Sequence, residues 1–333
     1  MKIIITGGLG FIGKNLIMSL NRYPDIHTLN LDAHTYAVED KFPITLMAPS
    51  RHHSLIGNIC DEAFVKSAFE KFRPDLVLNL SAESHVDRSI SEPDKAINQN
   101  VLGVTNLLKV SHQYLLSLPA NSGFRFYQFS TDEVYGDLNN EKKKFSENSE
   151  INPSSPYSAS KAAGDMIVKA WHRTYGMPFI ITRCSNNYGP FQSFDKLIPK
   201  LIANLVGNKT FGVYGDGSQE RDWLYVRDCV DAIEKIIFSN IVNDVFNIGT
   251  GKTFSNKQVV EIVIGVLARE LKVDSSTLKK LIKTVGDRPG HDNKYCVNSK
   301  KLSASVGWLP KIDFESGIEK TVNWYLKQQI LRS

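Results

Sequence analysis

Cysteine is sparse in this chain: Cys60, Cys184, Cys229 and Cys296 are the four in 333 residues. They lie far apart, without the short spacings that gather metal ligands. A disulfide-stapled scaffold and a zinc knuckle are therefore excluded, and free thiols in a reducing, cytoplasmic setting are expected, with no metal. Long apolar runs are missing too. The opening run, Lys2-Ile3-Ile4-Ile5-Thr6, is too short for a secretory leader, and nothing approaches the roughly 20 residues of a membrane-spanning helix. Nor is there an excess of one charge. Forty Lys and Arg face 35 Asp and Glu, a net +5 spread along the chain, so nucleic acid is not an expected partner. The longest basic run, Lys142-Lys143-Lys144, sits in a polar segment and reads as a solvated loop. No internal repeat and no low-complexity segment occurs.

What is present is apolar material, 42% of residues, enough for one large domain or two. The β-branched opening run reads as a buried parallel strand. It is followed by Gly7-Gly8-Leu9-Gly10-Phe11-Ile12-Gly13 and a helical pattern through Leu20. Glycines there permit a tight turn and let backbone N–H groups and a helix N-terminus approach a pyrophosphate. A second strand over 28–31 ends at Asp32, nineteen residues after Gly13. A carboxylate at that place can accept both ribose hydroxyls and would repel a 2′-phosphate, which favours NAD over NADP. Asn58 and Ile59 follow a third expected strand, 54–57, and are placed to meet adenine.

Further alternation follows: a helix over 61–71, a strand over 76–80, a helix over 93–116 and a strand over 125–129. The pattern predicts an α/β fold, a Rossmann-type doubly wound parallel sheet with a smaller α/β substrate-binding domain. The boundaries expected are 1–185 plus about 222–250 for the cofactor domain, and about 186–221 plus 251–330 for the substrate domain.

The chemistry concentrates in two stretches. Ser130-Thr131-Asp132-Glu133-Val134-Tyr135-Gly136 ends the fifth expected strand and supplies a hydroxyl and two adjacent carboxylates. Tyr157 and Lys161 lie four residues apart, about one helical turn, and so share a face. Ser155-Pro156 reads as a helix cap with proline at the first helical position. Free tyrosine, with a pKa near ~10, is a poor base at neutral pH. A nearby ammonium and a cationic nicotinamide both favour its phenolate. Successive strand residues point to opposite faces, so a turn must break the alternation if Asp132 and Glu133 are to face one ligand.

In the second half, Lys196 opens a helix, and 211–214 reads as a short strand able to frame a base. Arg221 offers a fork for phosphate. Ser255 to Gln258 forms a capping box. The stripe Val259, Ile262, Val263, Val266, Leu267 reads as core. Asp287 to Asp292 reads as a rigid loop carrying a cation, and a terminal helix is expected over 314–327.

Taken together, Thr6 to Gly13 with Tyr157-x-x-x-Lys161 resembles the extended short-chain dehydrogenase/reductase superfamily. Ser81-Ala82-Glu83-Ser84-His85-Val86-Asp87-Arg88-Ser89-Ile90, the Asp132-Glu133 stretch and Arg183-Cys184-Ser185-Asn186-Asn187-Tyr188-Gly189-Pro190 resemble the dTDP-glucose 4,6-dehydratase family. The resemblance runs from residue 2 to about 327. It implies a homodimeric lyase with bound NAD, acting on a nucleotide-diphosphate hexose, either dTDP-glucose or UDP-glucose. The related 4-epimerases are the alternative, and they generally carry small or hydroxyl residues in place of the acid pair. The catalytic residues implied are Thr131, Asp132, Glu133, Tyr157 and Lys161. Cofactor contacts are implied for Gly7, Gly10, Phe11, Ile12, Gly13, Asp32, Thr35, Asn58, Ile59, Leu80, Ala82, Ser84, Tyr157, Lys161 and Asn187. Substrate contacts are implied for Ser84, His85, Thr131, Asn186, Lys196, Leu197, Val213, Tyr214, Arg221, Asn256, Arg288 and His291. In the implied reaction Tyr157 assists oxidation at C4, Glu133 removes the C5 proton, Asp132 protonates the departing C6 hydroxyl, and hydride returns to C6.

Overall fold

The structure is a computed structural model that describes residues 1–36, 38, 48–139 and 141–328. Twelve strands are described: β1 (Lys2–Thr6), β2 (His27–Asp32), β3 (His52–Ile56), β4 (Leu76–Asn79), β5 (Arg125–Thr131), β6 (Phe179–Cys184), β7 (Asn186–Tyr188), β8 (Phe211–Tyr214), β9 (Glu220–Tyr225), β10 (Asp244–Ile248), β11 (Thr253–Ser255) and β12 (Ile282–Val285). Seven form one parallel sheet in the order β10-β6-β5-β4-β1-β2-β3. The chain winds outward from β1 to β3, returns to β4 and winds the other way. The order therefore reverses between β1 and β4, and the carboxyl ends of those strands border the natural ligand crevice.

Burial explains the strand sequences. Ile3, Ile4 and Ile5 are fully enclosed because helices cover both faces. On one face, Leu16 and Leu20 of helix Phe11–Leu20 pack with Ile233 and Ile236 of helix Val226–Ile237. On the other, Val65 and Phe69, Leu107 and Leu108, and Val168 come from helices Glu62–Phe72, Gly103–Leu116 and Pro156–Tyr175. The expected α/β doubly wound architecture is what the chain adopts.

The remaining strands form two small sheets, β11-β9-β7 and β12-β8. They share a second core with helices Leu197–Val206, Asn256–Leu271 and Phe314–Lys327. The stripe Val259 to Leu267 lies in that core as expected. The Ser255–Gln258 capping box is present.

Several details differ from the sequence expectation. β3 starts at His52 and pairs from Thr28 onward. The expected 93–116 helix is interrupted by a π-helical turn, Asn98–Leu102. That turn buries Asn100, whose amide accepts from the Glu83 N–H at 2.8 Å and donates to the Glu83 carbonyl at 3.0 Å and the Ser160 hydroxyl at 2.9 Å. π-Turns of this kind commonly reorient a side chain beside a functional site, and periodicity alone does not reveal them.

Candidate active site

A cleft of about 1180 Å³ opens over the carboxyl ends of the large sheet and runs onto the small sheets. Single small-molecule pockets span roughly 300–1,000 Å³, so this one has room for more than one ligand. Its cofactor end is shaped by glycine. Gly7 has φ +70°, and a Cβ on it would lie 2.9 Å from the Ser81 nitrogen. A Cβ on Gly13 would meet the Gly7 carbonyl oxygen at 2.5 Å. The turn can close only without side chains, and it leaves the N-terminus of helix Phe11–Leu20 facing the cleft with neither a side-chain cap nor an acidic residue in its first turn. An anion is the fitting partner there. Asp32 is buried at the end of β2; its Oδ2 accepts from the Leu9 N–H and its Oδ1 from the His34 N–H, both at 2.9 Å. Gly7, Gly10, Phe11, Ile12, Gly13, Asp32, Thr35, Asn58, Leu80, Ala82, Ser84 and Asn187 all line the cleft. These residues suit a dinucleotide.

Ile59 is the exception. Its side chain is buried among Val65, Leu107 and their neighbours, close against Gly103, and is not on the cleft wall. The expected packing of Ile59 on adenine is thereby corrected: an apolar residue after β3 is drawn into the core under the neighbouring helix.

The acid pair occupies a 3-10 turn, Asp132–Tyr135, directly after β5. The Thr131 hydroxyl caps it, accepting from the Glu133 N–H at 3.3 Å. This turn breaks strand alternation, and both carboxyls line the same cleft as Thr131, Tyr157 and Lys161. The capping box of Ser155 with Ser158 and the proline at 156 fix the start of helix Pro156–Tyr175, which sets Tyr157 within its first turn.

Electrostatics separate the two acids. Burial raises the Asp132 pKa well above the carboxylate range, and the negative charges of Glu133 and Asp222 add to the rise. Its Oδ2 has no hydrogen-bond partner among the described residues. Burial raises Glu133 too, but the cations Arg221, Arg288 and Lys196 pull it back. Asp132 is thus the better holder of a proton and Glu133 the better base.

Tyr157 departs from the expectation. Burial and the charges of Glu133, Asp132 and Glu83 raise its pKa, opposed by a hydrogen bond with Thr131. The Lys161 ammonium donates to the Phe129 carbonyl at 2.7 Å. Burial pushes its pKa down to about 8, with Asp165 holding against the fall. Lys161 is therefore anchored to β5, and Tyr157 is held as the neutral phenol until a further positive charge arrives.

The far end gathers cations from separated segments. Lys196 precedes helix Leu197–Val206 and donates to the Ser84 carbonyl at 3.1 Å. Arg221 on β9 donates to the carbonyls of Asp292 and Asn293 and lies 4.5 Å from the Tyr295 ring centre. Arg288 pairs with Asp87 at 3.3 Å, while its Nε lacks a partner among the described residues. His291 bonds Asp287 at 2.6 Å and meets Tyr214 edge-on. Ser84, His85, Asn186, Leu197, Val213, Tyr214 and Asn256 complete that part of the wall. Sequence reasoning passed over Asp195, which pairs with His85 Nε2 at 3.5 Å, and Tyr295; no local motif marks either.

A family model described as GDP-mannose 4,6 dehydratase matches residues 4–321. A dTDP-glucose 4,6-dehydratase of Neisseria meningitidis serogroup B is 43% identical over 330 residues, 98% of this chain and 93% of that protein. A dTDP-glucose 4,6-dehydratase from Bacillus anthracis, solved in complex with NAD, has a TM-score of 0.86 and 35% identity, covering 99% of this chain and 98% of that one. A UDP-glucose 4-epimerase from Thermotoga maritima, solved with UDP-glucose, has a TM-score of 0.85 and 26% identity, covering 98% and 99%. The backbone shapes are almost equally close, so sequence and site chemistry must separate the two activities.

Proposed function

The chain belongs to the dTDP-glucose 4,6-dehydratase family of nucleotide-sugar dehydratases, and we propose that it is an NAD-dependent hydro-lyase that converts dTDP-glucose or UDP-glucose to the 4-keto-6-deoxy sugar. The observation that carries this reading is the buried Asp132–Glu133 turn facing one cleft with Tyr157 and Lys161. NAD, when bound, supplies an acceptor for the C4 hydride, the donor that returns it at C6, and a positively charged ring.

The glycine turn and Asp32 hold the dinucleotide, and Lys161 and Asn187 complete its seat. Tyr157, its ionisation favoured by the positive ring of bound NAD, takes as the phenolate the proton of the C4 hydroxyl, with Thr131 donating a hydrogen bond to the same oxygen. Oxidation at C4 acidifies the C5 hydrogen. Glu133 removes that proton, and Asp132 gives its own to the C6 hydroxyl, which departs as water. Glu133, now protonated and exchanging with solvent, returns a proton to C5 to complete the product, and Asp132 and Tyr157 regain their starting states by proton exchange with solvent. Lys196, Arg221 and Arg288 neutralise the diphosphate, and residues 211–214 frame the base. This reading assigns cofactor binding to the large sheet, and substrate binding to the small sheets and their helices.

The 4-epimerase reading shares the fold and Tyr157 but gives Asp132 and Glu133 no task. Turnover of dTDP-glucose and UDP-glucose in deuterated water separates the two. Dehydration yields a product lighter by one water with deuterium at C5. A mass-neutral galactose isomer would overturn this reading.

Homodimerisation is proposed through the helices spanning 93–116 and 156–175, which leave Ile97, Leu102, Leu116, Met166 and Tyr175 exposed; sedimentation tests it. The four cysteines are free, which supports the cytoplasmic location proposed for the chain, and no described helix is long and apolar enough to cross a membrane.

A further inference from the structure

Behind the cleft runs a buried polar chain that no step above uses. Arg183 on β6 is 1% exposed. Its Nε donates to Asp165 Oδ2 at 2.9 Å, and its Nη1 donates to the Tyr135 hydroxyl at 3.0 Å. That hydroxyl donates to Asn247 Oδ1 on β10 at 2.7 Å. The guanidinium also sits 4.9 Å from the Tyr135 ring centre. Asn247 is fixed in turn, its amide donating to the Phe145 carbonyl and its N–H to Glu147.

The positions of these residues matter more than their number. Asp165 lies one turn after Lys161 on helix Pro156–Tyr175. Tyr135 closes the 3-10 turn that begins with Asp132 and Glu133. Arg183 therefore grips, from one rigid strand, both the helix that carries Tyr157 and Lys161 and the turn that carries the two acids.

Stability is a poor reason for such an arrangement. A buried ion pair can often be replaced by apolar residues of similar volume at no loss. Here, moreover, Arg183 Nη2 and Asp165 Oδ1 have no hydrogen-bond partner among the described residues. A guanidinium does offer something apolar residues cannot, which is donors at fixed angles that set distance and direction together.

We propose that Arg183, Asp165 and Tyr135 form a positioning unit that registers the Asp132–Glu133 turn against the Tyr157–Lys161 helix, so that one bound hexose meets the oxidation groups and the elimination groups without moving. The proposal rests on the dehydratase reading above. A misplacement of about 1 Å in such a constellation costs about 10²-fold in rate.

The test is a partition between steps. Tyr135→Phe removes one hydroxyl and keeps the ring stacked on Phe145. With NAD and dTDP-glucose, C4 oxidation should keep its wild-type rate while elimination slows about 10- to 100-fold. Reduced cofactor would then accumulate on the enzyme, seen by its near-ultraviolet absorbance. An unchanged partition, or equal slowing of both steps, overturns the proposal. The paired variant Asp165→Leu with Arg183→Met should melt no lower than wild type yet show an altered ratio of the two steps. Wild-type melting with a wild-type ratio would make the unit merely structural. Should the pair fail to fold, the Tyr135→Phe partition decides alone. Wild-type enzyme run alongside separates the two failures: no water-loss product from it sinks the dehydratase reading, whereas normal dehydration beside an unshifted Tyr135→Phe sinks only the positioning unit.

Discussion

The two ends of the cleft are built by different means. At the cofactor end, one stretch of seven residues, 7–13, shapes the part of the seat that meets the pyrophosphate, and its chemistry is backbone chemistry: a tight turn and a helix terminus without a side-chain cap. At the substrate end, Lys196, Arg221 and Arg288 arrive from a helix N-cap, a strand of a small sheet and a loop after β12. Side chains there converge from segments about 25 and 67 residues apart in sequence, because a diphosphate needs several cations from different directions. A backbone site is written locally and fails at one atom; a side-chain site is written at a distance and fails by degrees.

The acid pair lies between the two ends and is where the largest effect is expected. Glu133→Gln should leave cofactor affinity intact and permit C4 oxidation, while elimination falls by about 10²- to 10⁴-fold. Single-turnover absorbance and C5 deuterium uptake measure the two steps separately. Wild-type uptake would deny Glu133 the role of base. The pH profile follows from the same pair. Asp132 must be protonated, so elimination declines as pH rises through its raised pKa. Glu133 must be ionised, so the rate also declines as pH falls through its own, less raised, pKa. Asp132→Asn should remove the alkaline limb that belongs to the acid, along with most of the rate.

Gly13→Ala attacks the cofactor end at a position that has no room for a side chain, since the new Cβ would sit 2.5 Å from the Gly7 oxygen. Overpacking of that kind costs about 1–3 kcal/mol, and NAD affinity by calorimetry should fall by about 10- to 100-fold. Unchanged affinity would break the claim that the seat is backbone-built. At the other end, Arg288→Ala should raise the substrate KM by about tenfold or more, the worth of a hydrogen bond to a charged group, with NAD affinity unaltered. If NAD affinity fell in step, the two ends would not be separable. The smallest effect is reserved for the scaffold: Ser155→Ala removes the cap of the Tyr157 helix and should cost about 1 kcal/mol in chemical denaturation, with the ratio of the two steps unchanged.

Much of this was legible before any coordinates. Strand–helix alternation, the glycine turn, Asp32 after β2, the Ser155 cap and the need for a turn at Asp132–Glu133 all follow from local periodicity and steric rules, and the chain adopts each. Those features depend on residues within one turn or one strand of each other, so a linear reading suffices.

Four matters were decided only by tertiary structure. Ile59 turned into the core because the helix at Gly103 lies close above it. The π-turn placed Asn100 between Glu83 and Ser160. Burial and three carboxylates raise the Tyr157 pKa against its hydrogen bond with Thr131, while the Lys161 ammonium is anchored to the Phe129 carbonyl. Arg183 was joined to both Asp165 and Tyr135, 18 and 48 residues away. Each depends on which surfaces meet when sheet and helices pack, and on how much water that packing excludes. Residue order sets the local geometry; desolvation and long-range charge come into being only once the chain has closed around them.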